Sequence, residues 1–154
     1  MKLNILLKNR RFENFVKEFK FQGDIYIEKK VFSDEIGLCG TVDFTEIIDN
    51  KIVNIKDFKT NEKMPNDYSF GRRMNYPLEN LWDSNLTKYS LQISIYLYLL
   101  SEKFNLKIGD DNCLFWINYK KQEVKKIPVQ YMKTEVINMI SHYISEKSDF
   151  EWDF

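Results

Sequence analysis

The chain has 154 residues, of which 44% are apolar and 16% aromatic, and its 23 basic side chains balance 23 acidic ones. That length and apolar content suit one domain, 1–154, with a real core, and they exclude wholesale disorder. Balanced charge excludes capture of nucleic acid by global attraction, so such a ligand needs a local basic surface, and two cysteines, Cys39 and Cys113, are too few for a four-cysteine zinc or iron–sulfur centre.

The first eight residues hold too short an apolar core for a signal peptide. The apolar run 91–100 is broken by Gln92 and is too short to span a bilayer. No membrane association is expected, the two cysteines read as buried free thiols in a reducing compartment, and the expected location is the cytoplasm.

Residues 9–19 place Phe12, Phe15, Val16 and Phe19 on a helical stripe. Residues 25–32 read as a strand, and 33–37 as a turn. Two further strands follow, one running through Gly40-Thr41-Val42-Asp43 and one over 52–60, both rich in β-branched and aromatic residues. Side chains two apart on a strand share a face, so Asp57 and Lys59 project together with Val53 and Ile55. An acid and an ammonium on a half-buried face cost free energy unless they are paired or bind an ion.

The turn between these strands decides what Asp43 meets. With Asp49-Asn50-Lys51 as a three-residue loop, Ile48 pairs with Ile52, Ile47 with Val53, Thr45 with Ile55 and Asp43 with Asp57. A two-residue loop would place Asp43 opposite Lys56, on the other face. The three-residue loop also stacks Ile47 on Val53. Two converging carboxylates and a lysine are what a hard divalent cation and its activated water need. The plainer reading is a hairpin with exposed charges at its open end.

Residues 61–87 form a long connection that holds Tyr68, Phe70, Arg72, Arg73, Tyr76 and Trp82. Arginines beside aromatics suit a nucleic-acid backbone with stacked bases, which makes Arg72 and Arg73 candidate DNA contacts. A loop pinned by its aromatics, with solvated arginines, is the alternative. Residues 88–100 predict a buried helix opened by Asp83 or Ser84. Gln92 and Tyr96 share a face of it, with Lys88 one turn earlier. Gln92 either bonds a neighbouring strand or joins Lys88 and Tyr96 in lining a polar site. Strands over 114–119 and 124–129, and a last helix with Met132, Val136, Met139, Ile140 and Tyr143 on its stripe, complete an α/β (α+β) layout.

The phrases Gly40-Thr41-Val42-Asp43, Asp57-Phe58-Lys59-Thr60 and Gln92 to Tyr96 together resemble the RecB-type branch of the PD-(D/E)XK nuclease superfamily. They are especially similar to small phage and viral exonuclease-like members, and the likeness runs from about Glu28 to about Trp116. The resemblance implies a restriction-endonuclease-like core, a central mixed sheet flanked by helices. It implies a DNA nuclease, and among nucleases an exonuclease, that takes Mg²⁺ or Mn²⁺ on Asp43, Asp57 and the main-chain carbonyl of Phe58. Lys59 would serve the attacking water, Gln92 and Tyr96 would position the strand or the site, and Glu28 and Lys88 would support them. Linear or single-stranded DNA ends would be the partner, with a protein partner or a second copy also open. A phage or viral protein in a host cell fits the expected location. Family members bring a further His or Glu from an upstream helix; His142 does not match it, and Glu13 and Glu18 are the acids upstream. A nuclease-fold module that binds without cutting is therefore the alternative.

Overall fold

The computed structural model describes residues 21–148. The expected helix over 9–19, with Glu13 and Glu18, and the tail beyond residue 148 lie outside the described residues.

Among the described residues the chain runs β1 (Asp24–Ser33), β2 (Leu38–Ile48), β3 (Ile52–Lys59), α1 (Asn85–Phe104), β4 (Lys107–Ile108), β5 (Cys113–Asn118), β6 (Glu123–Pro128) and α2 (Lys133–Ser148). The strands form one mixed six-stranded sheet in the order β1-β2-β3-β5-β6, with β4 beside the start of β3. β1–β2, β2–β3 and β5–β6 are antiparallel, whereas β4 and β5 both run parallel to β3. A parallel pair needs a long return path, and α1 with its lead-in loop supplies it. The fold is α+β, a mixed sheet with helices packed on it.

The β2–β3 turn follows the three-residue reading. Asp49 and Asn50 take φ of 51° and 54°, a left-handed region that Asp and Asn tolerate better than most residues. The Lys51 N–H donates to the Ile48 carbonyl at 2.9 Å. The register Ile48↔Ile52, Ile47↔Val53 and Thr45↔Ile55 is as expected, but the ladder ends at Phe44↔Lys56, one step short of an Asp43↔Asp57 pair.

The reason lies in a break of alternation. Val42 packs with Val53, Ile55, Ile93 and Leu97 on the α1 side of the sheet. Phe44, only two residues on, packs with Phe58, Cys113 and Phe115 on the opposite side. β1 does the same: Ile25 lies with Phe44, and Val31 with Val42. In a regular strand each of these pairs would share a face. Each strand therefore carries one extra residue at the same level, Asp43 on β2 and Glu28 on β1. Ile27↔Phe44 and Lys29↔Val42 pair on either side, and Glu28 itself has φ of 52°. Opposed extra residues behave as a double bulge, a feature that re-aims side chains and ends pairing.

A second irregularity separates β4 from β5. Two more residues lie between Ile108 and Cys113 than between their partners Val53 and Lys56. Asparagines bridge the gap: Asn112 Oδ1 accepts the Ile55 N–H at 2.8 Å, and Asn54 Oδ1 accepts the Asp111 N–H at 3.2 Å. This keeps buried backbone groups satisfied where the ladder is interrupted.

Ser84 caps α1, its Oγ accepting the Thr87 N–H at 3.0 Å, and Asn105 closes it in the left-handed conformation. Ile93, Leu97 and Leu100 bury against Val53, Ile55 and Leu114 of the sheet and Val136 and Ile140 of α2. The fully buried Ser94 accepts the Met132 N–H at 3.1 Å and ties the approach to α2 onto α1. Among the described residues no helix is long and apolar enough to cross a membrane.

Candidate functional site

β3 carries Asp57 and Lys59 on the face it turns toward α1. Asp57 is 5% exposed. Its Oδ2 lies 2.5 Å from the Lys59 ammonium. That ammonium donates to Gln92 Oε1 at 3.2 Å, and Gln92 Nε2 donates to the Tyr96 hydroxyl at 3.2 Å. The four residues form one chain from the sheet into the helix. Lys59 Nζ also sits 4.5 Å from the centre of the Tyr89 ring, a cation–π contact. Tyr89 is in turn held by Asn61 Nδ2 at 2.8 Å, and the Asn61 carbonyl accepts the Trp116 indole N–H at 2.8 Å. A carboxylate, an amide oxygen and a ring thus fix the ammonium from three directions.

Asp43 enters from β2 at the double bulge. With the ladder ended there, its Oδ2 accepts the Phe58 N–H at 3.1 Å. A residue's N–H and C=O point to the same neighbouring strand in a ladder, so the Phe58 carbonyl opens on the side where Asp43 stands. Glu28 stands across from Asp43 on β1, exposed at its tip of the bulge. Gly40 lies under Tyr96 on the same face as Val42, because the bulge shifts the facing of everything before it.

Of the expected site residues, Asp57, Lys59, Gln92 and Tyr96 are linked by direct contacts, Asp43 joins through the backbone of Phe58, and Glu28 flanks Asp43. Lys88 is a correction. Its ammonium pairs with Asp83 Oδ1 at 2.6 Å, and it lines a groove with the 61–84 loop rather than the Gln92–Tyr96 contact. The carboxylate just ahead of the helix cap captures it. Arg73 is built into the loop: its guanidinium lies 3.4 Å from the Trp82 ring centre, and Nη1 donates to the Asn80 carbonyl at 2.9 Å. Arg72 is exposed beside Phe70. Sequence reasoning missed Tyr89, although its place three residues before Gln92 puts both on one helix face.

It also missed a polar cluster on the opposite face of the sheet. Lys56, 2% exposed, pairs with Glu46 at 2.7 Å and with Asp111 at 3.0 Å, and Lys126 reaches Asp111 at 2.5 Å. Burial pushes the Glu46 pKa up, but the hydrogen bonds from Lys56 and the Gln22 N–H outweigh it and hold the pKa below the ordinary value. Asp111 is also held low, burial being outweighed by Lys126 and Lys56. Burial pushes the neighbouring Cys113 thiol up to about 12, which makes it unreactive. Cys39, expected to be buried as well, is instead exposed on β2.

Among the described residues no three His, Cys, Asp or Glu side chains gather in one cluster. The expected donors, the Asp43 and Asp57 carboxylates and the Phe58 carbonyl, are hard oxygens, and Asp43 is tied to Phe58 by the hydrogen bond from its N–H. Mg²⁺ is commonly held by one or two carboxylates, with waters and substrate phosphate completing its shell, so the donor set fits such an ion.

The sequence matches no known family profile, and no curated protein matches it. A solved structure from Eubacterium rectale, named "Putative exonuclease", superimposes with a TM-score of 0.49 at 13% identity, covering 93% of this chain and 50% of that one. The structure of SSO0001 superimposes with a TM-score of 0.40 at 16% identity, covering 86% of this chain and 56% of that one. The chain thus spans about half the length of these solved chains.

Proposed function

We propose that this chain is a metal-dependent DNA nuclease of the PD-(D/E)XK type, with Mg²⁺ or Mn²⁺ held by Asp43, Asp57 and the Phe58 carbonyl. The observation that carries the reading is the contact chain Asp57–Lys59–Gln92–Tyr96, joined at Phe58 to Asp43. A buried ion pair is weak evidence for stability, whereas a lysine clamped by a carboxylate, an amide and a ring at the mouth of a broken ladder is a positioned proton donor. The sequence phrases from Gly40 to Asp43, Asp57 to Thr60 and Gln92 to Tyr96 support the same reading.

The divalent ion, when bound, would neutralise charge on the phosphate and lower the pKa of a bound water. Lys59 Nζ would donate a hydrogen bond to the attacking water or to the phosphate oxygen beside it. Gln92 keeps the ammonium aimed; the ammonium, which can only donate, keeps Oε1 of the amide toward it, and the Tyr96 hydroxyl takes the Nε2 hydrogen bond. Asp43 holds the Phe58 peptide in the orientation that presents its carbonyl. Water oxygen attacks phosphorus and gives up its proton to solvent, the bond to the sugar oxygen breaks, and that oxygen takes up a proton from solvent.

Linear DNA, end-labelled and incubated with the purified chain, tests the proposal. Shortened products with Mg²⁺ or Mn²⁺, and none with EDTA, are expected. DNA that is bound but left intact with both metals would leave the chain as a nuclease-fold binding module.

A further inference from the structure

We propose that the groove between the 61–84 loop and α2 binds an unpaired nucleotide of single-stranded DNA, its base on Tyr76 and its phosphate between Arg73 and Lys88. This rests on the reading of the chain as a DNA-acting protein and names the form of DNA it takes. The groove has a volume of about 450 Å³, and its walls include Arg73, Tyr76, Lys88, Met139 and His142. That volume lies within the range of about 300–1,000 Å³ typical of small-ligand sites.

Three observations identify the ligand. Tyr76 is 68% exposed, although it is a large aromatic on a loop that could have folded it inward. Its ring meets the His142 imidazole at 4.9 Å and a right angle, which holds the ring without enclosing it. An exposed ring held in place is a stacking platform, and every unpaired base has a face to stack. The cations are also held in place. Arg73 is fixed by Trp82 and by the Asn80 carbonyl, which uses one of its five N–H donors and leaves the others for a phosphate. Of the groove's lining residues Arg73 and Lys88 are cationic; Lys88 is paired with Asp83, and Glu146 lies 3.4 Å from His142 Nε2, so Arg73 is the cation that no carboxylate in the lining holds.

The third observation is position. Lys88 precedes Tyr89 on α1, and the Tyr89 ring lies under Lys59 Nζ. The groove and the Asp57–Lys59 pair are thus flanked by consecutive residues of α1, Lys88 at the groove and Tyr89 at Lys59. Bases inside a duplex have both faces covered and cannot stack on Tyr76, which is why the groove selects an unpaired nucleotide.

Fluorescence anisotropy in EDTA, which prevents cleavage, tests this with a labelled dT oligomer of about ten nucleotides, within the range of single-strand site sizes, and a blunt duplex of equal length. The oligomer should bind more tightly than the duplex. Tyr76→Ala should weaken the oligomer about fivefold to hundredfold, the worth of one stacked base, and Tyr76→Phe should restore it. Lys88→Ala should reduce the salt dependence of binding. Photo-crosslinking of an oligomer carrying 5-iododeoxyuridine to the unaltered chain gives a readout that no folding defect can imitate, and the adduct should fall on Tyr76. Unchanged affinity in Tyr76→Ala, or adducts only outside the groove, would overturn the proposal. Groove binding without cleavage would keep this proposal and remove the nuclease reading. Cleavage with affinity and KM unmoved by Tyr76→Ala would do the reverse.

Discussion

A Cβ placed on Gly40 would lie 2.5 Å from Cε1 of Tyr96 and 2.6 Å from its hydroxyl. A side chain at residue 40 would therefore displace the Tyr96 ring from its place beside Gln92, a case of glycine used for close approach. The two residues meet because the double bulge at Glu28 and Asp43 turns Gly40 and Val42 toward α1. The hydroxyl that Gly40 admits is the last link of the chain that ends on Lys59.

Gly40→Ala should displace the Tyr96 ring and cost about 1–3 kcal/mol, the usual cost of overpacking. Urea unfolding measures it. Because the added methyl and the ring contest one space, Gly40→Ala combined with Tyr96→Ala should cost clearly less than the two single changes added together. Additive costs would mean that the ring and the glycine do not meet.

Lys56→Met should be far more damaging than a surface charge change. It leaves Glu46, 2% exposed, without its ammonium. Breaking a buried pair in this way costs about 3–5 kcal/mol. Lys120 and Glu62 form a pair of similar length, 2.7 Å, but at 80% and 74% exposure, and Lys120→Ala should leave the urea midpoint unchanged.

Much of this arrangement was legible in the chain. Asp49 and Asn50 announce a left-handed turn, and the β-branched residues on either side fix its register. The pairing of Asp57 with Lys59 follows from period-two alternation, and the Gln92–Tyr96 contact from helical spacing. The double bulge was not legible, because Val42 and Phe44 are both apolar and a regular strand would seat them on one face. Only the packing shows that the sheet is buried on both sides there, so that each finds a core. Lys88 was misplaced because its flexible stem lets Asp83, just ahead of the helix cap, claim the ammonium. β4 escaped notice because two residues carry no pattern, and its pairing rests on backbone far away in sequence, the Lys107 N–H donating to the Lys51 carbonyl at 2.7 Å and the Gly109 N–H to the Val53 carbonyl at 2.9 Å.

Acid should destabilise the fold through the Glu46–Lys56–Asp111 cluster. Both carboxylates have folded pKa values below their ordinary ones. Across that interval the unfolded chain binds more protons than the folded one, so stability falls as pH falls. The contribution is complete above about pH 5 and disappears as the pH drops through and below the ordinary carboxylate range near 4. Urea midpoints between about pH 6 and pH 3 should show this fall, and Asp111→Asn should flatten part of it. A midpoint that is level over that range would contradict the ion-pair account.

Divalent metal should raise the melting temperature of the unaltered chain, since a ligand of the folded state stabilises it by mass action. At one hundred times its dissociation constant the gain is about 2.7 kcal/mol. Asp57→Asn and Asp43→Asn should each abolish most of the Mn²⁺ response, whereas Asp34→Asn, in the β1–β2 turn, should keep it. Equal responses in all four proteins would place the metal elsewhere.

The central claim is that Lys59 serves the chemistry and not strand capture. Its most direct test is single-turnover cleavage of linear DNA with saturating Mn²⁺ by the unaltered chain and by Lys59→Met, with DNA affinity measured alongside in EDTA. The account predicts a loss of cleavage of at least about a hundredfold, the usual worth of one catalytic proton donor, with affinity changed less than threefold. Equal cleavage rates, or a loss of affinity that accounts for the whole loss of rate, would contradict it.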